Sequence, residues 1–549
     1  MAQVVANRGN KLHAPENTRV ALLSAYTAGA NILEFGVCLT KDAQPVVSSI
    51  DNLEELTGVQ GKISESNLAD LRKLDFGAKF SVRNSTAHPW QRESPEARLE
   101  TLGGLLDIMP EGVTKLIQAY TPGGANPQDL LHKTIKSLKA RGLISSTILC
   151  STDAEALKAA CALQPNLRMA LCVEAPSSSS SEFQEWLSHE PDALVLPLSS
   201  VLSEAHQLKP LGAELREAYN SGALPLGVIL RAEGGDGTFT EQQYEALNRY
   251  SFVFGISTTS VLDVATFTGI YRQLEKASFA GKEEEPGRFP FGYAKANRFA
   301  HVYQDDGVHI KLKPYQGPPP IVSQPTGDPV QDRLNELEEA SWNAARDWPF
   351  YSGGGFGTKF GLDGDFVAEV DFSSTTTSQA TMLEMAVINV DPAKHRPGWK
   401  NDSSGNPVPN PPQSFRDKDS FFDPHGAPPF VGVEHDEDDG YRINWNLGTE
   451  YDNNQYGRPL GDGTTKQGRM RLERRGPYFS AYYKDEQNAD WVCVGACRND
   501  SMNHRLYLRC VGKRWRQEDD RPEATEPYYP IPENHIIFKN FLVLIPLKE

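Results

Sequence analysis

The 549-residue sequence has no apolar run approaching the roughly 20 residues that a membrane-spanning helix needs, which excludes a helical membrane span. Basic residues are in deficit: 55 Lys and Arg face 72 Asp and Glu, for a formal net charge of -17. Such a surface repels phosphate backbones and anionic headgroups, so nucleic acid is not an expected partner. Cysteine is sparse. The seven residues, Cys38, Cys150, Cys161, Cys172, Cys493, Cys497 and Cys510, lie in apolar runs without the paired spacing of a zinc site or a disulfide framework, and read as buried thiols. The opening residues Met1 to Arg8 lack the basic, apolar and small-residue segments of a secretory signal, so the expected location is the cytosol unless a leader has been trimmed away. At 39% hydrophobic and 23% charged, the rest of the composition suits a globular chain, and the length is too great for one core.

Residues 1–275 alternate short β-rich apolar runs with amphipathic helical stretches, which predicts parallel strands joined by crossover helices. Strands are expected at Val4–Ala6, Ile32–Leu39, Pro45–Ser48, Lys115–Ala119, Ser146–Cys150, Arg168–Val173, Ala193–Leu196, Leu226–Leu230 and Phe252–Ser257. Helices are expected over Thr18–Ala28, Leu99–Met109, Asp129–Ala140, Asp153–Leu163, Glu182–Ser188, Glu241–Arg249 and Leu262–Gln273, several opened by a Ser, Thr or Asp cap. About eight such units fill the length of a (β/α)8 TIM barrel. Residues 276–329 break the rhythm with charge, Gly and Pro, as in Gly317-Pro318-Pro319-Pro320, and read as a linker. From 330 to 549, after a helical stretch at Val330–Ala345, inward apolar and outward polar residues alternate at Gly364–Phe372, Met470–Glu473, Tyr478–Lys484, Trp491–Val494, Arg505–Arg509 and Ile536–Leu544. That pattern predicts an antiparallel β-sandwich, with 391–430, rich in Pro and Asn, as an irregular excursion. The fold class is therefore multidomain: α/β, then all-β.

Asn7-Arg8-Gly9, Ala14-Pro15-Glu16-Asn17-Thr18, Ala28-Gly29-Ala30, Glu34 in a strand running into Leu39-Thr40-Lys41-Asp42, and Pro45-Val46-Val47 follow one another in this order, with Gly58, Gly61 and Gly77 beyond. In these stretches the chain resembles the glycerophosphodiester phosphodiesterase family, and weaker agreement extends to about residue 275. The resemblance implies a barrel of that type whose two histidines act as acid and base and whose three carboxylates hold a divalent cation. Carried over residue by residue, the first histidine is Asn7, the second is Ser49, and the aspartate after it is Ile50. Of the carboxylates only Glu34 stands. Gly36 and Gln118 take the other two places, Tyr120 replaces a lysine, and Ile229 a tryptophan. Asparagine and serine cannot cycle a proton near neutral pH, and one carboxylate with one amide is a poor seat for Mg2+ or Ca2+. The expectation is a catalytically degenerate barrel without a cofactor, not a metal-dependent phosphodiesterase.

Active sites of this fold gather at the carboxyl ends of the strands, where two readings stay open. One is a mouth lined by Asn7, Arg8, Ser49, Gln118, Tyr120, Arg231 and Glu233 that binds a small molecule or carbohydrate, its arginines neutralising Glu34 and Glu174. The other is a rewritten, lyase- or cyclase-like chemistry in which Glu34 and Glu174 form the acid/base pair and an arginine holds an anionic substrate. His13, in the first loop, is either a replacement base or a solvated histidine.

Gly364-Asp365-Phe366, Arg471-Leu472-Glu473-Arg474-Arg475-Gly476, Phe479-Ser480-Ala481-Tyr482-Tyr483, Trp491-Val492 and Ile537-Phe538-Lys539-Asn540-Phe541 resemble concanavalin A-like (laminin G or glucanase-like) sandwiches. That resemblance implies a lectin-like binding module. A second active site is not expected, since no identified strand carries a row of alternating carboxylates. The acidic run Glu434-His435-Asp436-Glu437-Asp438-Asp439-Gly440 is either a Ca2+ site or a solvated turn, and Tyr441, Trp445 and Tyr451 either stack on a sugar or pack in the core.

Overall fold

A computed structural model of the chain describes residues 2–547 except 83–88, 91–96, 123–125, 177–179, 233–236, 268–270, 278, 280–281, 284–291, 297–299, 313–325, 331, 333–351, 359, 376–380, 390–398, 402–406, 410–428, 437–438, 448–453 and 515–532. The chain divides into two units, one of residues 1–272 with 487–497 and 545–549, the other of 273–486 with 498–544.

The first unit is built on β1 (Gln3–Ala6), β2 (Ile32–Leu39), β3 (Pro45–Val47), β4 (Thr114–Ala119), β5 (Thr147–Ser151), β6 (Arg168–Cys172), β7 (Ala193–Pro197), β8 (Gly227–Arg231) and β9 (Val253–Thr258). Eight of these run parallel in the order β1-β9-β8-β7-β6-β5-β4-β2, and β1 pairs back onto β2, which closes the barrel. The strand Pro45–Val47 departs from the expectation. It pairs antiparallel with β2 outside the ring, because only five residues separate it from Leu39 and a parallel return needs a crossover about twice that length or more. Val5, Ile32, Leu116, Ile148, Cys150, Ala170, Cys172, Ala193, Val195 and Ile229, from seven strands, fill the interior. It is a packed core with the site confined to one end.

Helix starts follow the capping chemistry in the sequence. Thr18, Thr101 and Asp153 accept the Ala21, Gly104 and Ala156 amides, and Thr240 with Gln243 forms a reciprocal box. Each cap stabilises its helix by about 1 kcal/mol. The last helix is shorter than the pattern suggests: Val261–Phe267 is helical, whereas Gln273 lies in the strand Tyr271–Ala277.

The second unit consists of two antiparallel sheets. A nine-stranded sheet includes, in order, Lys282–Glu283, Ala300–Asp305, Val308–Leu312, Asn534–Pro546, Phe366–Ser374, Gln467–Arg475 and Tyr478–Asp485. An eight-stranded sheet includes Gly292–Ala296, Ser352–Thr358, Arg505–Arg514, Thr381–Ile388, Phe430–Asp436, Gly440–Asn446 and Asn454–Tyr456. Aromatic rings join the two faces, with Phe356 5.9 Å from Phe538 and Tyr441 stacked on Tyr483 at 3.8 Å. Residues 276–329 are thus not a plain linker. Their described part contributes Gly292–Ala296, Ala300–Asp305 and Val308–Leu312 to the sheets, and the buried Val302, Val308, Ile310 and Leu312 explain why. Most of Val330–Ala345 and of 391–430 lies outside the described residues, although Trp399–Asn401 and Pro407–Pro409 pair with each other.

Candidate functional site

At the carboxyl end of the barrel, five strands contribute to one polar chain. Glu34 on β2, 2% exposed, spends both oxygens: Arg231 Nη2 on β8 donates to Oε1 at 2.6 Å, and Ser257 Oγ on β9 donates to Oε2 at 2.6 Å. Asn7, just past β1, donates Nδ2 to Ser257 Oγ at 3.4 Å, and Arg231 Nη1 donates to Cys172 Sγ on β6 at 3.1 Å. Burial opposes the Arg231 charge, but the adjacent Glu34 carboxylate outweighs it and raises the guanidinium pKa. Arg231 Nε is buried without a hydrogen-bond partner among the described residues. Cys150 and Cys172 hydrogen-bond to each other, which lowers the Cys172 thiol and raises that of Cys150.

The loop after β1 supplies the second set. Gly9, at φ +83°, lets this loop press against the helix Arg19–Thr27, where a Cβ would meet the Ala21 carbonyl carbon at 2.7 Å. Arg8 then reaches Glu16, at 3.0 Å, and not Glu34. Lys11 in the same loop is a functional candidate that sequence patterns miss. Burial lowers its pKa, and it senses Glu16, Arg8, Glu34 and Arg231, yet its ammonium has no hydrogen bond or ion pair among the described residues. Three cations, Arg8, Lys11 and Arg231, therefore face two carboxylates, Glu16 and Glu34.

Of the places where the family resemblance puts a metal-holding carboxylate, that of Gly36 is closed. The Gly36 N–H donates to Asn17 Oδ1 at 3.1 Å, and Asn17 Nδ2 donates to Ser49 Oγ at 3.3 Å. A Cβ on Gly36 would stand 2.1 Å from Ser49 Oγ and 2.6 Å from the Ser48 carbonyl oxygen, so no carboxylate fits there without displacing β3's end. Gln118 is half-buried and makes no hydrogen bond among the described residues. With Glu34 already held by Arg231 and Ser257, the residues present do not fit a divalent cation.

Other expected site residues are scattered. Glu174 is exposed two positions past β6, and among the described residues no hydrogen bond joins it to Glu34, whose two oxygens go to Arg231 and Ser257. Tyr120 packs on the apolar cluster of Cys38, Val46, Leu53, Ile63, Leu71, Phe76 and Leu99, and burial raises its pKa. Glu233 lies outside the described residues.

The sandwich holds a polar cluster where none was expected. On the eight-stranded sheet, Tyr441 and His435 turn toward the other sheet, so Glu384, Glu434, Asp436, Arg442, Asn444 and Arg509 share the opposite face. Asn444 Nδ2 bridges Glu384 Oε1 at 2.9 Å and Glu434 Oε2 at 2.6 Å, Arg509 Nη2 reaches Glu384 at 3.2 Å, and Arg442 Nε donates to Glu434. Burial pushes the Glu434 carboxyl up, Arg442 pulls it down, and Glu384 adds to the rise. The row of carboxylates missing from the sequence reading thus exists across neighbouring strands, but arginines and an amide occupy its oxygens. Glu434 and Asp436 end a strand instead of forming a solvated turn, and Arg442, also 3.2 Å from Asp439, takes the place a Ca2+ ion would need. Tyr441 belongs to the core, Trp445 is half-buried, and Glu437, Asp438 and Tyr451 lie outside the described residues.

Residues 8–224 match the glycerophosphoryl diester phosphodiesterase family. Among curated proteins, a glycerophosphodiester phosphodiesterase of Bacillus subtilis is 28% identical over 185 residues, 32% of this chain and 61% of that protein. An uncharacterized protein of Mycobacterium tuberculosis is 28% identical over 169 residues, 30% of this chain and 54% of its own length. The chain therefore spans little more than half of these phosphodiesterase-family relatives. Solved structures of glycerophosphodiester phosphodiesterases resemble it at low identity. The enzyme from Thermotoga maritima is 18% identical with a TM-score of 0.37, covering 48% of this chain and 98% of its own, and the domain of a Mycobacterium tuberculosis protein is 21% identical with the same TM-score, covering 49% and 99%.

Proposed function

We propose that the barrel mouth binds a small phosphate-bearing ligand, of the glycerol phosphate kind, and does not hydrolyse phosphodiesters by the metal-dependent route of its relatives. The observation that carries this reading is the state of Glu34: both oxygens are engaged by Arg231 and Ser257, and its missing partner carboxylate at position 36 has no room. What supports an anionic ligand is Lys11, which has no hydrogen bond or ion pair among the described residues and lies within electrostatic reach of Arg8 and Arg231, a set of cations that suits an anion with several acceptor oxygens. The sandwich, read as concanavalin A-like, serves as a binding or interaction module, its carboxylates being structural. A lyase- or cyclase-like reaction through Glu34 and Glu174 has less support, because both Glu34 oxygens go to Arg231 and Ser257 and no hydrogen bond among the described residues joins it to Glu174.

Calorimetric titration with sn-glycerol 3-phosphate, and assay of glycerophosphocholine hydrolysis with Mg2+ or Ca2+, test the proposal together. Saturable binding without turnover is expected. Metal-dependent turnover that Glu34→Gln abolishes would overturn it.

A further inference from the structure

The nine-stranded sheet carries, on the face turned away from its partner sheet, a file of rings that the barrel reading leaves unused. Tyr303 lies opposite His309, His309 opposite Ile537, and Lys311 opposite His535. Their sequence neighbours Val302, Val308, Ile310, Ile536 and Phe538 are buried, so Tyr303, His309 and His535 point to the outer side, each half-exposed. His309 Nδ1 stands 2.7 Å from His535 Nε2, and His309 Nε2 stands 2.6 Å from the Asp305 carbonyl oxygen. A carbonyl oxygen only accepts, so Nε2 of His309 carries the proton and Nδ1 presents its lone pair toward His535. Tyr303 stacks on His309 at 4.8 Å and 14°, which fixes the ring plane.

We propose that His309 Nδ1 and His535 Nε2 form a two-nitrogen site for a divalent transition ion such as zinc or nickel, with water completing the coordination. Imidazole nitrogens suit these ions. A backbone carbonyl on the far ring N–H, as Asp305 provides for His309, is the outer support that orients histidines bound to metal. Bond lengths of about 2.0–2.1 Å place two adjacent ligand nitrogens about 2.9 Å apart at octahedral and about 3.3 Å apart at tetrahedral angles, so the rings need to part by about 0.2–0.6 Å and tilt toward a common point. On binding, His535 moves its Nε2 proton to Nδ1, and both rings stay neutral. His301 is not a ligand in this site: its ring stacks on Tyr303 at 5.1 Å and 29°. No third His, Cys, Asp or Glu joins the pair among the described residues, which makes this a solvent-facing site of modest affinity.

Calorimetric titration of the full chain, stripped with chelator, with Zn2+ and with Ni2+ tests this. One ion per chain is expected, with His309→Gln and His535→Gln each weakening binding by about tenfold or more, and His301→Gln leaving it unchanged. Absence of binding, or both variants binding as tightly as the parent, overturns the site. Crystals of the unaltered chain soaked in zinc salt provide a reading that needs no variant. Anomalous density between the two nitrogens supports the proposal, and density only elsewhere refutes it.

Discussion

Two carboxylate–arginine networks in this chain look alike in composition and differ in their exposure. In the sandwich, Glu384 and Glu434 are matched by Arg509 and Arg442, with Asn444 tying the acids together, and Glu384, Asn444 and Arg509 are fully buried. In the barrel, Glu34 is matched by Arg231, while Lys11 nearby has no hydrogen bond or ion pair and Arg231 keeps an unused donor among the described residues. Each network keeps one guanidinium Nε without a hydrogen-bond partner among the described residues, that of Arg509 in the first and that of Arg231 in the second, and what differs is access: Arg509 and Glu384 are fully buried, whereas the Arg231 side chain is 20% exposed. Solvent access, more than the presence of charged residues, separates the two networks, and it is the feature on which the proposed ligand binding at the barrel depends.

The largest effect expected from breaking this contrast is at Arg509. Replacing it with Leu leaves Glu384 buried and unpaired and should cost about 3–5 kcal/mol in denaturant unfolding, while the folded fraction binds glycerol 3-phosphate as before. A loss below about 1 kcal/mol would mean that the sandwich network is not sealed.

Next in size is an acid limb from His435. Burial, with Asp462 opposing, lowers its pKa from the usual 6.5 to about 4. The unfolded chain therefore takes up this proton first: stability from His435 is intact above pH 6.5, falls as the pH drops toward about 4, and levels off below. The loss is about 3 kcal/mol, and unfolding curves of His435→Gln across that range should be flatter than those of the parent.

The smallest expected effect sharpens the barrel side. Lys11→Gln should weaken phosphate binding roughly tenfold, about 1.4 kcal/mol, without lowering stability. Because burial lowers the Lys11 pKa beneath 10.5, the parent's affinity should decline at a lower alkaline pH than a free lysine would dictate. Equal affinities for parent and variant, measured by calorimetry, would remove Lys11 from the site.

Most of the barrel was legible because parallel strands buried on both faces read as short apolar runs: Ile32–Leu39 matches to the residue, and the other barrel strands lie within one or two. Turn-length logic, not hydropathy, would have separated Pro45–Val47 from the ring. In the sandwich, Thr381–Ile388 and Phe430–Asp436 escape an alternation rule that equates polar with solvated, since both of their faces are buried. Asn7, Glu34 and Arg231 could be nominated from their places at strand ends. That Arg231, 197 positions away, would take Glu34 while Arg8 takes Glu16 depends on closure of the ring, and Lys11 sits in a loop with no periodicity to read.

The contact of Gly36 with Ser48 and Ser49 also bears on how this mouth can change. A single substitution that puts a carboxylate back at position 36 meets the serine side chain and backbone before it meets any ion. Ser49 and the bend that holds it would have to move first, and that intermediate step would loosen Asn17 while giving no metal site in exchange. The glycine therefore works as a lock between two elements: position 36 cannot gain a side chain unless the bend at Ser48 and Ser49 shifts with it.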